Sequence, residues 1–262
     1  MVASLPAPVK QKLQHALAQW QHWTNAPAAL PCPVEVLADG ISNTSIRVED
    51  GNNAWVVRLD GFDPQRLGLS RSAEWRALKQ AAAQQLAPTP VYCNPEQGIL
   101  ICEYYQPDPA PQADKPLEDI AELLRAIHSL PPIKFRLDPL MRARRYLHLL
   151  GSGELSAEFL HASDRLARHS TTAVLCHNDL LQANRLCCNK RLLALDWEYA
   201  AMGDPLFDLA VVIEGDALDE AQASWFLGSW LNAQPTGQDQ QRLADNRLVY
   251  RELSELWANV VA

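Results

Sequence analysis

Two hydrophobic periods, one on each side of a proline-rich stretch, restrict what this chain can become. Before the stretch, Val34, Val36, Ile46 and Val48 alternate with polar residues, Gly51-Asn52-Asn53 turns the chain, and Trp55-Val56-Val57-Arg58-Leu59 follows. Alternation puts every second side chain on one face of a pleat, so residues 34–60 predict antiparallel strands. Residues 91–105 predict a hairpin about Asn94 to Gly98 and then a buried strand. The segment PDPAPQADKP, residues 107–116, ends this pattern, because its prolines lack amides and fix the chain as a spacer. Beyond it Ile120, Leu123, Leu124, Ile127 and Leu130 form one helical stripe, stopped by Pro131-Pro132. Helical patterns recur in DPLMRARRYLHLLGSG, SAEFLHASDRLARH, EAQASWFLGSWLNA and RLADNRLVYRELSELWANVVA. An opening helix over residues 8–26 carries Val9, Leu13, Ala16, Leu17 and Trp20 on one side. The expectation is an α+β chain of two lobes: residues 1–106 with a small antiparallel sheet, residues 107–262 mainly helical.

Within the helical part lies a polar loop whose residue types suit one chemistry. Asp179 and Asn184 stand five positions apart, and Asp196 follows twelve residues later behind an apolar run. Moving a phosphoryl group from a nucleotide to an alcohol needs a carboxylate to take the hydroxyl proton and oxygen ligands for Mg²⁺ on the phosphates. The order H-x-D-x-x-x-x-N, then a buried strand ending in D, supplies both. Each residue alone would read as a cap or a loop residue; three at this spacing point to a kinase of small molecules.

The first lobe offers weaker signals of the same kind. Gly40, Ser42, Asn43 and Thr44 form a loop of small residues whose amides can approach an anion, although such clusters usually make ordinary turns. Arg58 interrupts an apolar strand, where a charge must snorkel or find a partner, and Glu74 in RSAEWRALKQAAAQQL is the partner expected for it. Backbone groups around Cys102, Glu103 and Tyr104, just before the proline-rich stretch, are the expected seat of an adenine ring.

Composition closes several alternatives. With 262 residues the chain can bury a sizeable core, and a net charge of −8 argues against a nucleic-acid partner. No apolar run approaches a membrane span, and MVASLPAPVKQK leads into no signal-peptide core, which predicts no membrane partner and a cytoplasmic address. Six scattered cysteines show no zinc spacing and read as reduced thiols.

The combination CHNDLLQAN, LALDWEYAAMGDPLFDLA resembles the choline/ethanolamine kinase branch of the aminoglycoside phosphotransferase superfamily, and thiamine kinase has a similar DWEYA segment. The similarity runs from about Val34 to Glu214. It implies a protein-kinase-like fold that uses ATP and Mg²⁺. By position it implies Asp179 as catalytic base, Asn184 and Asp196 as metal ligands, and Glu198 as ligand of a second metal or its water. It also implies that His177 braces the loop, that Asp208 bonds the loop's backbone, and that Arg58 reaches phosphate oxygens. The chain departs from protein kinases in having a single glycine, Gly40, in its nucleotide loop and D-W-E in place of D-F-G.

The resemblance implies a small cationic alcohol as substrate, choline or ethanolamine first, thiamine next, an aminoglycoside or amino sugar last; a nucleotide-holding pseudokinase is the non-enzymatic rival. Aromatic faces attract cations, each worth about 0.5–2 kcal/mol. Trp257 matches an aromatic position of the family, and Trp225, Trp230, Tyr250, Glu214 and Glu255 are further candidates; any single tryptophan at helical spacing is more often core. Replacing Asp179 by Ala is expected to abolish ADP release while nucleotide binding, followed by calorimetry, persists.

Overall fold

The computed structural model describes residues 5–39, 43–109, 117–168 and 172–261. Gly40 and Ser42 of the expected phosphate loop lie outside the described residues, as does most of the proline-rich stretch. By its contacts the chain divides into Met1–Arg66 with Pro88–Gln106, and Leu67–Ala87 with Pro107–Ala262. The second unit therefore claims a helical segment that precedes the proline-rich stretch.

In the first unit, β1 (Cys32–Asp39), β2 (Asn43–Glu49), β3 (Ala54–Asp60), β4 (Pro90–Asn94) and β5 (Ile99–Glu103) make one antiparallel sheet of order β1-β2-β3-β5-β4. The inward-facing set Ile46, Val48, Trp55, Val57, Leu59, Ile99 and Ile101 is buried with Leu13, Ala16 and Leu17 of α1 (Ala7–Ala18) and with Trp23. Each such aliphatic side chain removed from water contributes about 1.5–3 kcal/mol. Trp23 and Trp55 meet edge to face, ring centroids 5.7 Å apart.

Alternation fails at Val34, which is 48% exposed. β1 is an edge strand whose register slips between Pro33 and Glu35, and an edge bulge releases the intervening residue from the inward face. The turn after β2 is held by Asp50, whose Oδ1 accepts from Asn52 N at 3.0 Å and Asn53 N at 2.8 Å. Those amides hold its carboxyl below the usual range.

In the second unit, α2 (Arg71–Ala83) is capped by Ser70, whose Oγ accepts from Ala73 N, and α3 (Leu117–His128) carries the predicted stripe inward. α4 (Pro139–Leu150) starts at the cap Asp138 and stops at Gly151 in the left-handed region. α5 (Ala157–Arg168) precedes two short ladders: β6 (Val174–Cys176) with β9 (Ala201–Gly203), and the hairpin β7 (Arg185–Cys188) with β8 (Arg191–Ala194). α6 (Pro205–Gly215) is buried from Pro205 to Ile213, so its apolar run has no solvent face. α7 (Glu220–Leu231) opens with a capping box from Asp219 and Gln222, and α8 (Gly237–Val261) is a single 25-residue helix. No helix among the described residues is long and apolar enough to cross a membrane. Cys93 and Cys102 stand on the neighbouring strands β4 and β5.

Gly98 has φ +61°, and a Cβ there would sit 2.7 Å from Asp60 Cβ, while its carbonyl accepts from Asp60 N at 2.9 Å. Both the left-handed backbone and the close approach demand glycine. Gly98→Ala is expected to cost about 1–3 kcal/mol in urea unfolding.

Candidate active site

The loop carrying Asp179 is made by what borders it. It leaves β6, crosses residues 177–184 and enters β7, whose pairing with β8 sets Arg185 opposite Ala194. That register brings the ends of two strands together, and Leu195 N donates to Asn184 O at 2.8 Å. Asn184 and Asp196, twelve residues apart in sequence, thus leave adjacent strand ends. Asn184 Nδ2 donates to Asp179 O and to Asp179 Oδ2, both at 2.8 Å, so that of its side-chain atoms the amide oxygen is the one that could ligate a cation.

Asp208, on the first turn of α6, fixes the loop from below. Its Oδ2 accepts from His177 N at 2.9 Å and its Oδ1 from Asn178 N at 2.6 Å. Asn178 needs that support, since it holds φ +64°, and its Nδ2 donates to Tyr199 O at 3.0 Å. His177 is fully buried, stands edge-on to Trp197 at 4.9 Å, and pairs its Nε2 with Leu195 O at 2.9 Å. Burial holds this imidazole below its ordinary pKa, and because a carbonyl can only accept, Nε2–H is the donor. Arg185 adds a second anchor, donating to Leu180 O and bidentately to Asp216 at 2.7 and 2.9 Å.

Negative charge accumulates at this loop. Burial, then the charges of Asp196 and Glu198, push Asp179 well above the usual carboxylate range, and the bond from Asn184 pulls the other way. Asp196, the first residue of D-W-E, adopts φ +55°, in the left-handed region. An all-oxygen set of amide and carboxylates under mutual repulsion suits a hard divalent cation, and Asn184, Asp196 and Glu198 are the residues that would hold it.

Glu198 has a partner that sequence reasoning missed. Arg71, the first residue of α2, donates from Nη1 to Glu74 Oε2 at 2.8 Å and to Glu198 Oε2 at 3.1 Å, all three being buried. An arginine in the first turn opposes the helix dipole, a signal that it answers to carboxylates elsewhere. Arg71 and Glu74 thus pair within one helix, and in the first unit Arg58 lies 3.8 Å from Asp60.

Two tyrosines were also missed. Tyr146 and Tyr199 lie close enough to Asp179 and Glu198 for those charges to raise their phenols, although burial is the larger cause. Tyr199 Oη is buried without a partner, and Arg142 stands 5.7 Å from its ring centroid. Tyr250, an expected candidate, joins them: burial and then the Asp179 charge push it up to about 12. The remaining candidates are placed differently. Glu214 accepts from Arg247 Nε at 2.5 Å and from Arg251, Trp230 donates to His128, and Trp225 is 52% exposed. Trp257 is half-buried, its Nε1 enclosed without a partner, and Glu255 is exposed.

In the first unit Asn43 and Thr44 are buried on β2 and Arg58 on β3, opposite Ser45. The amides of Glu103 and Tyr104 donate to Thr89 O and Ala54 O at 2.8 and 2.9 Å. An adenine contact from either residue would therefore come from a carbonyl.

The chain is similar to known phosphotransferases. Protein LicA of Haemophilus influenzae is 44% identical over 57 residues, covering 22% of this chain and 21% of LicA, so the match spans about a fifth of that relative. Thiamine kinase of Shigella boydii serotype 4 is 26% identical over 188 residues, 69% of this chain and 65% of that one. The crystal structure of choline kinase LicA from Streptococcus pneumoniae superposes with a TM-score of 0.77 at 19% identity, over 96% of this chain and 90% of that one. That likeness shows the protein-kinase-like fold of small antiparallel sheet and helical remainder. The model of the phosphotransferase enzyme family matches residues 33–256, and the chain belongs to that family.

Proposed function

We propose that this phosphotransferase moves the terminal phosphoryl group of ATP to the hydroxyl of a small cationic alcohol, with choline or ethanolamine as the first substrate class and thiamine as the second. The observation that carries the reading is the Asp179–Asn184 bond, on a loop pinned by Asp208 and beside Asp196 and Glu198. Asp179 accepts the hydroxyl proton; burial and like charges raise its basicity toward what a proton acceptor needs. Asn184 holds that carboxylate in place through the 2.8 Å bond to Oδ2. A bound Mg²⁺ supplies positive charge to the phosphates. In the first unit Asn43, Thr44 and Arg58, with Gly40 and Ser42, are the residues assigned to the phosphates, and Glu103 and Tyr104 to the adenine.

The phenols of Tyr146, Tyr199 and Tyr250 support a cationic acceptor, because electron-rich rings stand near the carboxylate that takes the proton. Thiamine is kept as the second substrate because the thiamine kinase of Shigella boydii matches 69% of this chain. Like choline, it offers a primary hydroxyl and a fixed positive charge.

ADP release measured over choline, ethanolamine, thiamine, an aminoglycoside and an amino sugar tests the reading. Choline or ethanolamine is expected to give the highest kcat/KM, and turnover confined to the sugars would overturn it. Folding raises the affinity of Asp179 for its proton, so its contribution to stability is full at acid pH and is lost as pH rises through its folded value. At neutral pH the buried acid is thus a burden, and Asn is isosteric with it. In metal-free buffer at about pH 7–8, Asp179→Asn is expected to keep or raise Tm, and in an assay with Mg·ATP its kcat is expected to fall about 10²–10⁴-fold.

A further inference from the structure

We propose that Trp230 is a positioning residue, which sets the tautomer of His128 and through it holds the Asp208 carboxylate beneath the Asp179 loop. The proposal rests on the loop being the catalytic one only for its effect on turnover. An indole N–H can only donate, and Trp230 Nε1 points at His128 Nδ1 from 3.1 Å. Nδ1 must therefore be the acceptor, which puts the ring proton on Nε2. Nε2 lies 3.0 Å from Asp208 Oδ2 and donates to it. Asp208 then faces donors only: His128, His177 N and Asn178 N. The other tautomer would aim a lone pair at a carboxylate, and a separation of 3.0 Å leaves no room for a water between them.

The indole and imidazole rings meet edge to face, centroids 5.6 Å apart, so α7 also fixes the plane of the ring on α3. What this secures is Asn178, the strained residue before Asp179, whose φ of +64° persists only while its bonds over-determine it. Cys176 brings a third ligand type within 4.8 Å of His128 and Asp208. Metal binding would require its thiolate, yet burial pushes that thiol well up, and Asp208 is already occupied by donors.

The experiment uses the full chain with ¹⁵N-labelled histidine. Long-range ¹H–¹⁵N spectra of the unmodified protein are expected to show His128 as the Nε2–H tautomer. Trp230→Phe keeps an aromatic ring but removes the donor. It should convert His128 to a mixture and speed amide exchange at His177 and Asn178 about tenfold or more. With Mg·ATP and choline the same variant should lower kcat several-fold and leave KM for ATP unchanged. His128→Gln keeps a donor toward Asp208 without a tautomer to choose, so adding Trp230→Phe to it should change neither exchange nor kcat further. An Nδ1–H tautomer in the unmodified protein overturns the proposal, even if Trp230→Phe fails to fold. Unchanged tautomer and exchange in a folded Trp230→Phe overturn it equally. Absence of turnover with every alcohol would sink the proposed function while the spectra still decide this question.

Discussion

A single buried carboxylate, that of Asp208, holds the site together. It receives two consecutive backbone amides, His177 N at 2.9 Å and Asn178 N at 2.6 Å, and the imidazole of His128 at 3.0 Å. Hydrogen bonds to a charged group contribute about 1.5–3 kcal/mol each, and more is lost when a buried charge is left short of donors. The left-handed turn at Asn178 is stable only in that grip, and the direction of the Asp179 side chain follows from the turn. Because Asp208 rides on α6, the most buried helix of its unit, the loop inherits the rigidity of the core and not the mobility of a surface connection.

Around this anchor the chain concentrates like charge. Asp179, Asp196 and Glu198 act on one another, and Glu74 stands near enough to share Arg71 with Glu198. Folding keeps these groups together by giving each a specific restraint: Asn184 for Asp179, Arg71 for Glu198 and Glu74, and a hairpin register for Asp196. The residual repulsion is the cost in stability of gathering like charge at one loop.

Much of this was legible from spacing. The alternation over residues 34–60 yielded β2, which buries every second residue from Thr44 on, and the stripe from Ile120 to Leu130 yielded α3, while β3 lies in the middle of the sheet and is buried on both faces from Val57 to Asp60. Legibility failed at Val34, where an edge bulge broke the period, and at α2, which the contacts group with the later residues although it precedes the proline-rich stretch. The tryptophans were ambiguous for a physical reason: their size marks them for burial or for binding equally well. Trp230 proved to be a hydrogen-bond donor to His128, and Trp225 lies half in solvent on α7. Tyr146 and Tyr199 gave no periodic signal that distinguished them from packing residues.

The sequence by itself pointed to phosphoryl transfer, in agreement with the family match, and the short spacing of Asn184 and Asp196 puts them at the ends of one hairpin. It also determined the division into sheet and helices, since hydrophobic period depends only on local backbone geometry. Only the tertiary structure decided which partners each charge takes: Arg71 for Glu74 and Glu198, Arg247 and Arg251 for Glu214, Trp230 for His128. Those pairings join residues up to 127 positions apart, and pairwise distance in space is fixed by packing, which no local pattern encodes.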